Sequence, residues 1–144
     1  MPNRLTLTAA AEQIRKGDLD PIALVESCLT RIDAVDDVIH AWVDVHREHA
    51  LKEAETLAAE AKSGSFRGPL HGVPIGVKDL EMTAGIRTTL GSYCYRDRVP
   101  DFDSVAVERL KAAGVVVLGK TNTPEFGVSG TTETKSATVA SLLS

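Results

Sequence analysis

Lys78 is the residue whose type and position best fit chemistry. It follows the apolar run 73–77 directly, at the carboxyl end of a predicted strand, where open α/β sheets build their sites. A lysine serves as a base only when its amine is neutral. Its ordinary pKa of about 10.4 must then be pulled down by burial or by nearby cations, and the end of a buried strand suits that. The residues alone leave a second possibility open, in which Lys78 reaches solvent along its stem or pairs with Asp79.

Other groups invite chemistry and fit it less well. Residues 114–121, GVVVLGKT, spell the phosphate-loop pattern G-x-x-x-x-G-K-[ST], yet that pattern works as a loop between a strand and a helix. Here its middle is the predicted strand, and Pro124 stops a helix from running on from Lys120, so Lys120 is expected to cap or pair near the sheet edge. His46 and His49, with Asp44 and Glu48, lie along a charged helix with no convergent third ligand, so no metal is implied. No cofactor motif is left. Cys94, between Tyr93 and Tyr95, lacks the glutamate and lysine partners of a thiol amidase and reads as a small buried thiol. Ser129 in GVSGT lacks the final glycine of a nucleophile elbow and reads equally well as a turn serine.

The elements that would position Lys78 come next. Leu7, Ala10, Ala11 and Ile14 recur at helical spacing before Gly17, which suits the position just past a helix end. Asp20 followed by Pro21 reads as an N-cap and first helical residue, opening a second helix to about Val35. Ile39, Ala41, Val43 and Val45 alternate, as in a short extended segment. Residues 46–62 place Ala50, Leu51, Ala54, Leu57, Ala58 and Ala61 on one face of a third helix. After the break SGSFRGP, a strand is expected to begin past Pro74 and end near Lys78. A long loop follows, of the kind that is often functional. Asp103 or Ser104 can then cap a helix through Ala113, closed by Gly114, and residues 115–118 form a buried strand. Strand, helix and strand in this order make a βαβ unit with parallel strands.

Composition sets the frame. The chain has 144 residues, 43% hydrophobic and 25% charged, which suits a folded globular domain. Its 16 basic and 20 acidic residues leave a net charge of −4, no excess of cations for direct nucleic-acid binding. Cys28 and Cys94 are too few and too far apart for a disulfide framework. No segment has the make-up of a signal peptide or membrane span, so a cytoplasmic location is expected.

Three blocks in order, GPLHGVPIGVKD at 68–79, TTLGS at 88–92 and DSVAVERLKAAGVVVLGKTNTPE at 103–125, resemble the amino-terminal portion of the amidase-signature family. The resemblance runs from about residue 5 to 133. It implies an α/β fold, with N-terminal helices (1–62) leading into a βαβ unit (68–133) of an incomplete amidase-signature mixed sheet and an unmatched tail at 134–144. It also implies hydrolysis of carboxylic amides: a lysine at the Lys78 position acts on a serine in a cis peptide, which relays a proton from a second, nucleophilic serine. Both serines and the oxyanion donors of that family stand in a Gly/Ser-rich segment that these 144 residues do not contain. The implied expectation is an N-terminal fragment, truncated and inactive alone, whose parent takes a small-molecule amide. The loop 126–132 would border the acyl pocket, with Ser129 as substrate-binding residue. Two alternatives stand beside this: a fragment of the A subunit of the tRNA-dependent amidotransferase, and a non-catalytic scaffold whose short sheet seeks a partner. With so few strands, exposed apolar surface is expected around residues 115–118, and with it marginal stability.

Overall fold

The computed structural model describes residues 1–132, so the expectation for the tail at 134–144 lies outside them. In chain order these residues form α1 (Leu7–Lys16), α2 (Pro21–Ile39), β1 (Trp42–Val45), α3 (Arg47–Lys62), β2 (Pro74–Lys78), α4 (Val105–Ala112) and β3 (Val116–Thr121). The architecture is a mixed α/β fold, N-terminal helices followed by a βαβ unit.

Local chemistry sets most boundaries. Thr6 caps α1 by accepting from the Ala9 N–H, and Gly17 ends it in a left-handed conformation at φ 80. Asp20 caps α2 through the Ile22 N–H at 2.8 Å, with Pro21 at the first helical position. Asp20→Ala is expected to cost about 1 kcal/mol, measurable as a lower urea midpoint at unchanged slope. Helix α2 runs four residues past the expected stop at Val35, because the apolar stripe fades there but nothing breaks the helix. Its true end is set by Asp36, whose carbonyl accepts from the His40 N–H and whose carboxylate accepts from the Ala41 N–H, both at 2.8 Å. Strand β2 begins at Pro74 itself, a place where the missing N–H costs nothing. Asp103 and Ser104 make no side-chain cap on α4. Asp103 instead accepts from the Ala84 N–H and from Lys111.

The sheet has the order β1-β3-β2, with β1 antiparallel and β2 parallel to β3. The alternating segment at 39–45 thus contributes a strand, and β3 becomes the central one. One face of β3, carrying Val116 and Leu118, packs on Val25 and Leu29 of α2 and on Ala50, Ala54 and Leu57 of α3. On the other face Val117 packs with Val77, Ile86 and Val107 of α4. This corrects the expectation of exposed apolar surface at residues 115–118: each is at most 4% exposed, because helices cover both faces. A further cluster joins Ala10, Ile14, Leu24 and Val73.

His71, in the first motif block, is buried and ties the entry to β2 onto α3. Its Nδ1 accepts from the Arg67 N–H at 3.1 Å, so its Nε2 carries the proton and donates to the Leu57 carbonyl at 2.9 Å. Gly72 and Gly114, both at positive φ, let the chain pass where a side chain would meet Pro21 or the His71 backbone.

Candidate active site

The parallel strands β2 and β3 end side by side, with Val77 in register with Lys120 and Lys78 with Thr121. Alternation along a strand then places Lys78 and Lys120 on opposite faces. Lys78 is the last residue of β2, and its side chain is exposed among the described residues. Burial at a strand end was the expected means of making it a base; the neighbouring residues described here do not bury it, because it stands on the edge strand.

Backbone bonds fix where Lys78 sits. The Asp79 N–H donates to the Thr121 carbonyl at 3.0 Å, the Glu81 N–H to the Lys78 carbonyl at 2.9 Å and the Leu90 N–H to the Asp79 carbonyl at 3.0 Å. Asp79 is fully buried and does not pair with Lys78. Its carboxylate accepts from the Thr89 N–H at 3.1 Å and, through a short bond, from the Thr89 hydroxyl. Burial pushes the Asp79 carboxyl above the usual carboxylate range, against the pull of Thr89 and of the Lys120 charge.

Lys120 is the second chemically distinctive lysine, and its placement corrects the sequence reading. It lies in the central strand, not at the edge, and is 0% exposed. Its ammonium donates to the Glu81 carbonyl through a short bond, to Thr83 Oγ1 at 3.0 Å and to Thr88 Oγ1 at 3.1 Å. Burial pulls its pKa down to about 8, opposed by the charges of Asp79 and Glu81. The GVVVLGKT segment is strand through its middle, so its lysine faces a buried loop where a phosphate loop would present it to solvent. The signal for Lys120 was its place directly after an apolar run, the feature that singled out Lys78; recognising it required knowing that β1 covers the far side of β3.

Ser129 is exposed, its hydroxyl meeting Thr131 Oγ1 at 3.3 Å. The loop that carries it is anchored to the exit of β2: the Phe126 N–H donates to the Leu90 carbonyl at 2.8 Å, and Gly127 lies against Leu80. Cys94 is exposed on a single 3-10 turn at 93–95, contrary to the buried thiol expected; Cys28 is half-buried, and neither forms a disulfide. Asp44 lies 3.5 Å from His46 and pairs with Arg87 at 2.9 Å, contacts that hold its carboxyl down to about 2 against the opposing effect of burial. Among the described residues no group of three or more His, Cys, Asp or Glu stands close enough to hold a metal. No described helix is long and apolar enough to cross a membrane.

The family model described as Amidase matches residues 23–140, and the chain belongs to this family, the amidase-signature enzymes. It is 42% identical over 130 residues to the A subunit of a glutamyl-tRNA(Gln) amidotransferase from Streptomyces avermitilis, covering 90% of this chain and 26% of that protein. It is 39% identical over 129 residues to an acylamidase of Rhodococcus erythropolis, covering 90% of this chain and 27% of that protein. Among solved structures, a bacterial aryl acylamidase of the amidase-signature family superposes with a TM-score of 0.84 at 27% identity, over 90% of this chain and 27% of that one. The native peptide amidase of Stenotrophomonas maltophilia superposes at 0.79 with 36% identity, over 85% of this chain and 26% of that one. The chain therefore spans about a quarter of the length of the relatives it matches.

Proposed function

We propose that these residues are the lysine-bearing, amino-terminal portion of a carboxylic amide hydrolase, with Lys78 as general base. The observation that carries this is the position of Lys78, at the carboxyl end of β2 and beside the parallel β3, within the block GPLHGVPIGVKD. In this mechanism Lys78 takes the proton of one serine, which in turn takes that of the serine attacking the amide carbonyl. The amine must be neutral for that step. Residues outside those described would have to desolvate it or bring a cation near. Ser129 borders the acyl side of the substrate, on a loop tied to the exit of β2 at Leu90.

Neither family serine nor its oxyanion donors stands in these 144 residues. A nucleophile and preorganised donors are what make acyl transfer proceed, so the chain by itself is inactive, a fragment in function. Its site takes small-molecule amides, and two free cysteines without a disulfide suit the cytoplasm. A second reading, favoured by the 42% identity to an amidotransferase A subunit, makes it the corresponding part of such a protein.

The test has two arms. Purified chain, assayed with aryl and aliphatic amides and with a serine-reactive phosphonate, is expected to give no turnover and no labelled serine. Turnover that disappears in Lys78→Ala would overturn the inactivity. In the second arm this chain replaces the matching residues of the Rhodococcus acylamidase. The chimera is expected to hydrolyse its amide, and Lys78→Ala to lower kcat by about 10²–10⁴; a folded chimera indifferent to Lys78→Ala would sink the base assignment.

A further inference from the structure

We propose that Lys120 is a positioning residue for Lys78: from the opposite face of the sheet, its side chain clamps the segment that leaves β2 and so fixes where Lys78 stands. This rests on the reading of Lys78 as the base. The connection is short and continuous. Lys120 Nζ donates to the Glu81 carbonyl, and the Glu81 N–H donates to the Lys78 carbonyl at 2.9 Å. The same ammonium reaches Thr83 and Thr88 further along that segment.

The threonine hydroxyls are oriented to receive it. Thr83 gives its own proton to the Glu81 carbonyl and Thr88 gives its proton to the Ile86 carbonyl, each at 3.1 Å. Their lone pairs are left for Lys120, and the three donors of an ammonium find three oxygens. On the other side of the segment, Asp79 accepts from the Thr89 N–H and hydroxyl, and its carbonyl from Leu90. Residues 79–90 are therefore folded around two buried ions with no regular secondary structure of their own. An ion in such a place carries a desolvation cost that an apolar side chain would not. Every hydrogen bond that the Lys120 amine makes among the described residues goes to the exit of β2, which is the segment that places Lys78.

The experiment separates a hydrogen-bonding clamp from packing. A nitroxide is placed at Lys78→Cys in a Cys28→Ala, Cys94→Ser chain, and amide exchange is followed in the chain without the label. Thr83→Val with Thr88→Val keeps the shape and removes both hydroxyls; Thr83→Ser with Thr88→Ser keeps the hydroxyls and removes the methyls. The expected result is a nitroxide at least twofold more mobile in the valine pair. Exchange at the Glu81 and Leu90 amides should be at least tenfold faster there, with the His46 amide, which donates to the Leu118 carbonyl of β3 just past the end of β1, unchanged and the serine pair like the parent. A valine pair that behaves as the parent, or a serine pair that loosens as much as the valine pair, overturns the proposal. Should the valine pair fail to fold by circular dichroism, the single Val and Ser variants at position 88 decide by the same comparison. Because the label replaces Lys78, the outcome does not depend on whether Lys78 is a base; a clamp confirmed here beside a chimera indifferent to Lys78→Ala would sink the base and leave the positioning of position 78 standing.

Discussion

Gly119→Ala is expected to destabilise the chain by about 3 kcal/mol or more, at the upper end of what overpacking costs. A Cβ at this position would collide with the Asp44 carbonyl and come within 2.9 Å of the Val45 Cα. Both are backbone atoms of β1 at the point where β1 pairs with β3, so neither can swing aside as a side chain would. Relief would require β1 to separate from the central strand, and with it Trp42 and Val45 from the main cluster that includes Val116 and Leu118. For a domain of this size the loss corresponds to roughly 10 °C in Tm. Gly85→Ala is the control. Gly85 has φ 73 and open space around it, so an alanine there carries only the left-handed backbone cost of about 1–2 kcal/mol. Thermal unfolding of both variants checks the expectation; equal losses would mean that the β1–β3 approach tolerates a side chain. The same glycine gives the phosphate-loop look of GVVVLGKT a structural cause, since it is required by the close passage of two strands.

The end of α1 and the start of α2 were the most legible points of the fold, because each is written in one or two adjacent residues: Gly17 just past α1, and Asp20 with Pro21 ahead of α2. The end of β2 at Lys78 was legible for the same reason, as an apolar run meeting a charge. The parallel pairing of β2 with β3 followed from the helix between them. What escaped depended on contacts distant in sequence. Nothing local to WVDV says that it pairs with β3, yet that pairing moves Lys120 from an expected sheet edge to the centre of the sheet. The segment 79–104 carries no periodicity because it is held by side-chain bonds to backbone, such as Thr89 to Asp79 and Ala84 to Asp103, and such bonds leave no repeating signature. Cys94 was expected inside as a thiol usually is, but it sits on a 3-10 turn between two exposed tyrosines. Of the two lysines, the place of Lys78 at the end of β2 was legible, and the one whose place was missed is the more buried.

Lys120 should also reveal itself in the pH dependence of stability. Its folded pKa, held down to about 8 chiefly by burial, lies below the ordinary lysine value of about 10.4 that applies in the unfolded chain. Between those values the unfolded chain binds a proton that the folded chain does not, so the Lys120 contribution to stability rises with pH through this window. Below pH 8 both states are charged and the folded chain bears the full cost of burying the ion. The cost is roughly 3 kcal/mol, since moving a pKa by one pH unit is worth about 1.4 kcal/mol. Lys120→Met removes that cost but leaves the Glu81 carbonyl without its charged donor, a loss of about 1–3 kcal/mol. The two effects nearly cancel, and at pH 7 the variant should be within about 1–2 kcal/mol of the parent. Raising the pH to 10 should then favour the parent over Lys120→Met by a further 2–3 kcal/mol or so, as the folded parent releases the burden of the ion. Urea titrations of both proteins at pH 7, 8, 9 and 10 measure this difference, and subtracting one from the other removes the lysines and tyrosines they share. A difference that stays flat across this range would mean that Lys120 keeps an ordinary lysine pKa inside the fold, and that its three oxygen partners and the Asp79 charge fully offset its burial.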